Sequence, residues 1–102
     1  MKQLHWTKHA KAKMRYYALS EQRVRRVLKS PSRIEEGIAE GTIALMQRAG
    51  SKKHPYEIWV MVADEKTRRK IISAWRYPGL TQPGESLPDT ILKEFREAGY
   101  GI

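Results

Sequence analysis

The sequence predicts an α+β domain in which two N-terminal helices pack on a four-stranded, mainly antiparallel, curved sheet, with a C-terminal helix appended. Apolar residues recur at helical spacing before Pro31 and alternate with polar residues after it, and turn residues separate the later runs. A chain of 102 residues suffices for only one core. We therefore expect one domain over residues 1–78 and an extension over residues 79–102.

The first quarter of the chain is predicted to contain both helices. Thr7 is a suitable N-cap for a helix over residues 7–18, and Ser20 can cap a second one. Pro31 follows the second apolar stripe and ends that helix, because proline lacks the N–H that a helix interior needs.

Four strands are predicted after Pro31. Arg33–Glu40 alternates between polar and apolar residues, and a turn at Gly41 joins it to a second extended run, Thr42–Arg48. Tyr56–Ala63 and Lys70–Tyr77 are rich in β-branched and aromatic residues, and the short polar loop between them predicts a second hairpin. Both hairpins indicate antiparallel pairing.

Alternation assigns different residues to the two faces of this sheet. The face beneath the helices is predicted to carry Ile58, Val60, Val62, Ile72 and Ala74. The opposite face is aromatic and amphipathic and carries Ala44, Met46, Arg48, Trp59, Met61, Ser73, Trp75 and Tyr77. Either the C-terminal helix, capped by Asp89, covers this second face with its apolar residues, or the face stays exposed and bases stack on it.

Positive charge is concentrated in two parts of the chain. The formal net charge is +9, of which residues 1–29 contribute +8 and residues 51–77 contribute +4, while residues 78–102 are acidic. Such asymmetry is typical of a protein whose partner is a nucleic acid or an acidic protein.

Several classes of function are excluded by composition. Without cysteine the chain has no disulfides, thiolate metal sites or cysteine nucleophiles, which fits a cytoplasmic protein. No apolar run is long enough to span a membrane. Histidines and carboxylates are not clustered at metal-ligand spacing, so we expect neither a metal nor another cofactor.

His9 is the histidine best placed for catalysis. On a helix it shares a face with Lys13 and Tyr16, four and seven residues further on. Metal-independent cleavage of RNA requires a base for the 2′-hydroxyl, an acid for the leaving oxygen and cations for the phosphorane. A histidine suits the first two tasks and arginines suit the third.

Four short motifs carry a family resemblance. They are HAKAKMR (residues 9–15), LSEQRV (19–24), LKSP (28–31) and IISAW (71–75). They resemble the motifs of a bacterial and phage family of small domains of unknown function that is grouped with the RelE/ParE-like toxins. The likeness extends over residues 5–77, with little similarity in the central hairpin.

The resemblance implies the barnase–RelE type of fold and cleavage of RNA, free or ribosome-bound, in a toxin–antitoxin setting. His9 matches the family's histidine, Arg15 its helix arginine and Ser73 its strand threonine. Trp75 stands where the family has a tyrosine, and because indole cannot act in acid–base chemistry, that role would pass to Tyr77 or Tyr16. The candidate catalytic residues are therefore His9, Arg15, Ser73, Arg76 and Tyr77.

The leading hypothesis is thus a RelE-like, metal-independent endoribonuclease of toxin type. Its predicted nucleic-acid contacts are Lys8, Lys11, Lys13, Arg25, Arg26, Arg48 and Trp75. Two alternatives remain, a nucleic-acid-binding module without catalysis and a protein-interaction subunit. The expected partners are RNA, including ribosome-bound mRNA, and an acidic antitoxin or neighbouring protein, with the chain a monomer or a homodimer and no membrane contact.

Overall fold

The computed structural model describes residues 2–84 together with Lys93, Arg96 and Glu97, which are exposed and helical. Over residues 2–84 the fold consists of two helices and five strands. In chain order they are β1 (Gln3–Trp6), α1 (Lys8–Tyr16), α2 (Glu21–Lys29), β2 (Arg33–Glu36), β3 (Ile43–Gly50), β4 (Pro55–Asp64) and β5 (Arg68–Pro78). The rest of the C-terminal helix predicted from Asp89 onward lies outside the described residues.

The prediction of a four-stranded, mainly antiparallel sheet is wrong. The sheet has five strands in the order β1-β5-β4-β3-β2, and β1 pairs with β5 in parallel, from Gln3 opposite Arg68 to Trp6 opposite Ile71. The other three pairs are antiparallel. The additional strand alternates between polar and apolar residues over only four positions, the shortest run that indicates a strand, and its partner lies more than sixty residues further along the chain.

Both helices begin where the sequence places their caps. The Thr7 hydroxyl accepts a hydrogen bond from the Ala10 N–H at 3.1 Å, and the Ser20 hydroxyl accepts one from the Arg23 N–H at 3.0 Å. Thr7 also donates to the Ile71 carbonyl of β5 at 2.8 Å, which fixes the start of α1 beside that strand. No helix among the described residues is long and apolar enough to cross a membrane.

The main core lies between the helices and one face of the sheet. It is formed by apolar side chains of α1 and α2 packed on alternate residues of β3, β4 and β5. The fully buried members are Ala10, Val24, Val27, Val60, Val62, Ile71 and Ala74.

A β-bulge changes the predicted face assignment on β5. The register with β4 shifts between Met61 and Val62, so that Val62 lies opposite Ile71 while Met61 lies opposite Ser73. Ile71 therefore takes the place under the helices that alternation gives to Ile72, and Ile72 packs on the other face. Alternation fails here because a bulge adds one residue to one strand only.

The second face of the sheet is buried. Trp59 and Trp75 stack with ring centroids 5.8 Å apart, and they are 3% and 1% exposed. Met46 and Met61 pack beside them. Of the two alternatives for this face, an open platform for bases does not agree with this burial. The expected cover, the C-terminal helix, falls outside the described residues apart from Lys93, Arg96 and Glu97.

The segment after β5 is attached to this second face by a buried carboxylate. Glu57 is fully buried and accepts hydrogen bonds from the Trp59 indole at 3.0 Å, from the Thr81 N–H at 3.1 Å and from the Thr81 hydroxyl at 2.7 Å. Arg33 donates to the Thr81 hydroxyl at 2.6 Å and lies 5.2 Å from the centre of the Trp59 ring. Residues 79–84 are thereby held across β4 and β2.

Candidate nucleic-acid interface

The outward surface of α2 carries four cationic side chains, Arg23, Arg25, Arg26 and Lys29. Val24 and Val27 point into the core, which leaves Arg23 and Arg26 on one flank of the helix and Arg25 on the other. Lys29 extends the second flank by one turn. Among the described residues, no acidic side chain lies within ion-pair distance of these four cations.

A groove of about 500 Å³ lies along the Arg25 flank. Two apolar side chains line it, Leu4 of β1 and Leu28 of α2. Four cationic side chains line it as well, namely Lys2, Arg25, Lys29 and Arg69. Such a site accommodates a flat or apolar group that carries negative charge nearby.

Two of the groove's cations share an acidic partner. Asp64 accepts from Arg69 at 2.6 and 3.0 Å, and Lys2 lies 3.9 Å from the same carboxylate. Hydrogen bonding from Arg69 lowers the pKa of Asp64 below its ordinary value, so the carboxylate is charged at neutral pH. Arg25 and Lys29 have no such partner among the described residues, and Arg25 lies over the Trp6 ring at 5.6 Å.

Arg23 and Arg26 lie on the other flank of α2 and Arg76 lies on the helix side of β5, and we call these three residues the arginine cluster. Arg23 donates from Nη1 to the side-chain oxygen of Gln47 on β3. The Gln47 amide nitrogen in turn donates to the Ser30 carbonyl at 3.0 Å. The amide oxygen and the amide nitrogen of Gln47 thus each make a hydrogen bond. Together they fix the orientation of the amide and, with it, the position of Arg23.

Strand register brings Arg76 to the same place. Gln47, Ile58 and Arg76 occupy one row across β3, β4 and β5, so Gln47 and Arg76 are about 10 Å apart at their Cα atoms. The Arg76 guanidinium lies 4.9 Å from the centre of the Tyr56 ring. Burial lowers the pKa of Arg23, and repulsion from Arg26 and Arg76 lowers it further.

The candidate residues of α1 point in different directions. His9 and Lys13 are half-buried on one flank of the helix and both have interaction partners. Arg15 lies six residues after His9 and therefore about 120° around the helix. Lys8, Lys11 and Arg15 are exposed.

The candidate residues of β5 are divided between its two faces. Ser73 is 3% exposed, and Trp75 is covered by its stack with Trp59. Tyr77 is half-buried and belongs to the same second face. Arg76 points to the helix side, beside Tyr56. The structure therefore does not bring His9, Arg15, Ser73, Arg76 and Tyr77 together as one set.

The other residues predicted to contact nucleic acid do not share one surface either. Arg25 and Arg26 lie on the outward surface of α2, whereas Arg48 is exposed on the second face, in register with Glu57. Sequence reasoning missed Arg23 and Gln47. Helical spacing from Val24 places Arg23 at the edge of the core. No signal in the sequence pairs Arg23 with Gln47, which lies 24 positions further along the chain. Among the described residues, no group of three or more metal-ligating side chains occurs.

Comparison with protein-family models, with curated proteins and with solved structures finds no match for this chain. The resemblance to the RelE/ParE-like group stays a prediction.

Proposed function

We propose that this protein binds single-stranded nucleic acid through its phosphate backbone, along the outward surface of α2. The observation that carries the proposal is that Arg23, Arg25, Arg26 and Lys29 are all free of acidic partners among the described residues. Cations held close together without local neutralisation favour a polyanion, because binding releases the counterions condensed on it.

The groove supports a single strand rather than a duplex. Leu4 and Leu28 line the same groove as Arg25 and Lys29 and offer it apolar surface. A base can enter such a groove only if it is unstacked and unpaired, as in single strands, loops and chain ends. The phosphates on either side of that base would then meet the cations of α2.

We propose binding rather than cleavage because the catalytic candidates are dispersed. Ser73 is buried and Arg76 lies on the opposite face of β5, whereas an acid, a base and a cation must converge on one phosphate for cleavage. RNA cleavage, which the family resemblance implies, stays a prediction, with loss of cutting in His9→Ala as its test.

The salt dependence of binding tests the proposal. A labelled oligouridine is titrated with the protein at increasing salt, in the wild type, in Arg25→Gln and in Arg48→Gln. We expect log Kd to rise linearly with log salt. Because one phosphate contact is lost, the slope should fall by about 0.7 in Arg25→Gln.

Arg48→Gln is the matched control, since it removes an exposed arginine from the other face of the sheet. It should leave the slope unchanged. Binding that is insensitive to salt would overturn the proposal, as would equal losses in both variants or tighter binding to a duplex of the same length.

A further inference from the structure

The arginine cluster has the features of a built anion site. Arg23 is half-buried and its position is set by Gln47, whose amide is itself held by the Ser30 carbonyl. A guanidinium has five N–H donors, so four remain on Arg23 after the bond to Gln47. Gln47 thus orients the guanidinium of Arg23 but, being neutral, leaves its positive charge uncompensated.

The cluster also has an unbalanced charge. Burial of the Arg23 guanidinium and the nearby charges of Arg26 and Arg76 lower the pKa of Arg23. Among the described residues, none of the three arginines has an acid within ion-pair distance. Mutual repulsion of this kind weakens folding and is relieved when an anion binds.

Arg76 completes the site from the sheet side. Its guanidinium rests on the Tyr56 ring, 4.9 Å from the ring centre, and a stacked guanidinium keeps its edge free to donate. The row from Gln47 through Ile58 to Arg76 places Arg76 on the same face of the sheet as Gln47, the partner of Arg23, and the charge of Arg76 acts on Arg23.

We propose that Arg23, Arg26 and Arg76 bind a phosphate monoester, with Gln47 as a positioning residue. A monoester carries nearly two negative charges and three oxygens at neutral pH, whereas a backbone diester carries one charge. Three guanidinium groups therefore favour the monoester. Forked N–H pairs suit phosphate oxygens in particular. The ligand is the phosphorylated end of a strand or a free phosphorylated small molecule, and the site does not depend on strand binding by α2.

Gln47→Glu is the decisive variant. The new carboxylate has the shape of the amide and would pair with Arg23, so it neutralises the cluster from within, at the cost of the hydrogen bond that the Gln47 amide donates to the Ser30 carbonyl. Inorganic phosphate and adenosine monophosphate are titrated by calorimetry, with NMR detection of the arginine side-chain N–H groups. We expect saturable binding in the wild type and about a tenfold weaker affinity in Gln47→Glu, since one charge-assisted interaction is lost.

Arg48→Gln changes the net charge by the same amount one residue away, on the other face, and should bind phosphate as the wild type does. Arg76→Gln removes an exposed arginine from the cluster and should weaken binding without unfolding the protein. Shifts that do not saturate, or equal affinity in Gln47→Glu and the wild type, would overturn the proposal.

Oligouridine with a 5′-phosphate and with a 5′-hydroxyl distinguishes the two sources of the ligand. A preference for the phosphorylated strand that Gln47→Glu abolishes identifies the strand end. Binding of adenosine monophosphate without such a preference identifies a free small molecule. Arg25→Gln separates this proposal from the proposed function, because it should weaken strand binding and leave phosphate binding intact.

Discussion

The two carboxylates at the ends of β4 are held in opposite ways. Glu57, near the start of the strand, is fully buried and accepts hydrogen bonds from the Trp59 indole and from Thr81. Asp64, at the last position, is exposed and paired with the guanidinium of Arg69. Glu57 accepts hydrogen bonds from neutral groups of the protein, whereas Asp64 is exposed to water and pairs with a cation.

This difference indicates separate roles. The Thr81 hydroxyl donates to Glu57 and accepts from Arg33, so it connects a buried carboxyl group to the guanidinium of a residue on β2. Removing the side chain of Glu57 or of Arg33 leaves polar groups of this network without hydrogen-bond partners, which lowers the free energy of unfolding. An exposed ion pair such as that of Asp64 and Arg69 contributes little, because water replaces whatever is lost.

The largest effect is expected from Glu57→Ala. Three donors lose their acceptor, and each buried donor without a partner costs about 1–3 kcal/mol. We expect the free energy of unfolding to fall by about 3 kcal/mol or more, as measured by urea denaturation. Glu57→Gln should cost less, since its carbonyl oxygen still accepts. A loss below about 1 kcal/mol in Glu57→Ala would contradict this account of the start of β4.

An intermediate effect is expected from Thr81→Val. The shape of the side chain is kept, while the hydroxyl between Glu57 and Arg33 is lost, so unfolding should become easier by about 1–3 kcal/mol. Thr67→Val, in the exposed loop between β4 and β5, is the control and should change stability by less than about 0.5 kcal/mol. Equal effects of the two changes would show that the hydroxyl of Thr81 has no special part in the network.

The smallest effect is expected from Asp64→Asn. Hydrogen bonding from Arg69 holds the pKa of Asp64 below 3.8, its ordinary value, so the folded state binds a proton less readily than the unfolded state. The ion pair therefore stabilises the fold above that ordinary pKa and loses its effect as pH falls through the lower, folded-state pKa. We expect wild type and variant to differ by less than about 1 kcal/mol at neutral pH and to converge in acid. Urea denaturation at several pH values measures this difference, and a gap that widens in acid would reverse the expected sign.

Local signals in the sequence were sufficient for the helices and for the longer strands. Caps at Thr7 and Ser20 depend on neighbouring residues only, and both are confirmed. The β4 and β5 runs differ from their predicted bounds by one or two residues at each end. The first hairpin is shorter than predicted, because Ile38 and Glu40 fall in its turn.

Features that depend on distant contacts could not be predicted. β1 forms because β5 offers it a parallel edge, and the bulge at Ile72 exists only in relation to β4. For the candidate site, charge density singled out Arg25 and Arg26, which are exposed on α2. The arginine cluster stayed hidden, because it is assembled by the bond between Arg23 and Gln47 and by the register of Arg76.

The parallel pairing of β1 also has a consequence for the synthesis of the chain. Gln3 to Trp6 find their partners only at Arg68 to Ile71, so more than sixty residues must be made before the first strand can be incorporated. During translation the amino-terminal segment remains without a sheet neighbour while both helices and the central hairpin have already emerged from the ribosome. We expect the pairing of β1 with β5, which closes this long loop, to be a late step in folding. Chaperones that bind extended segments should affect this step.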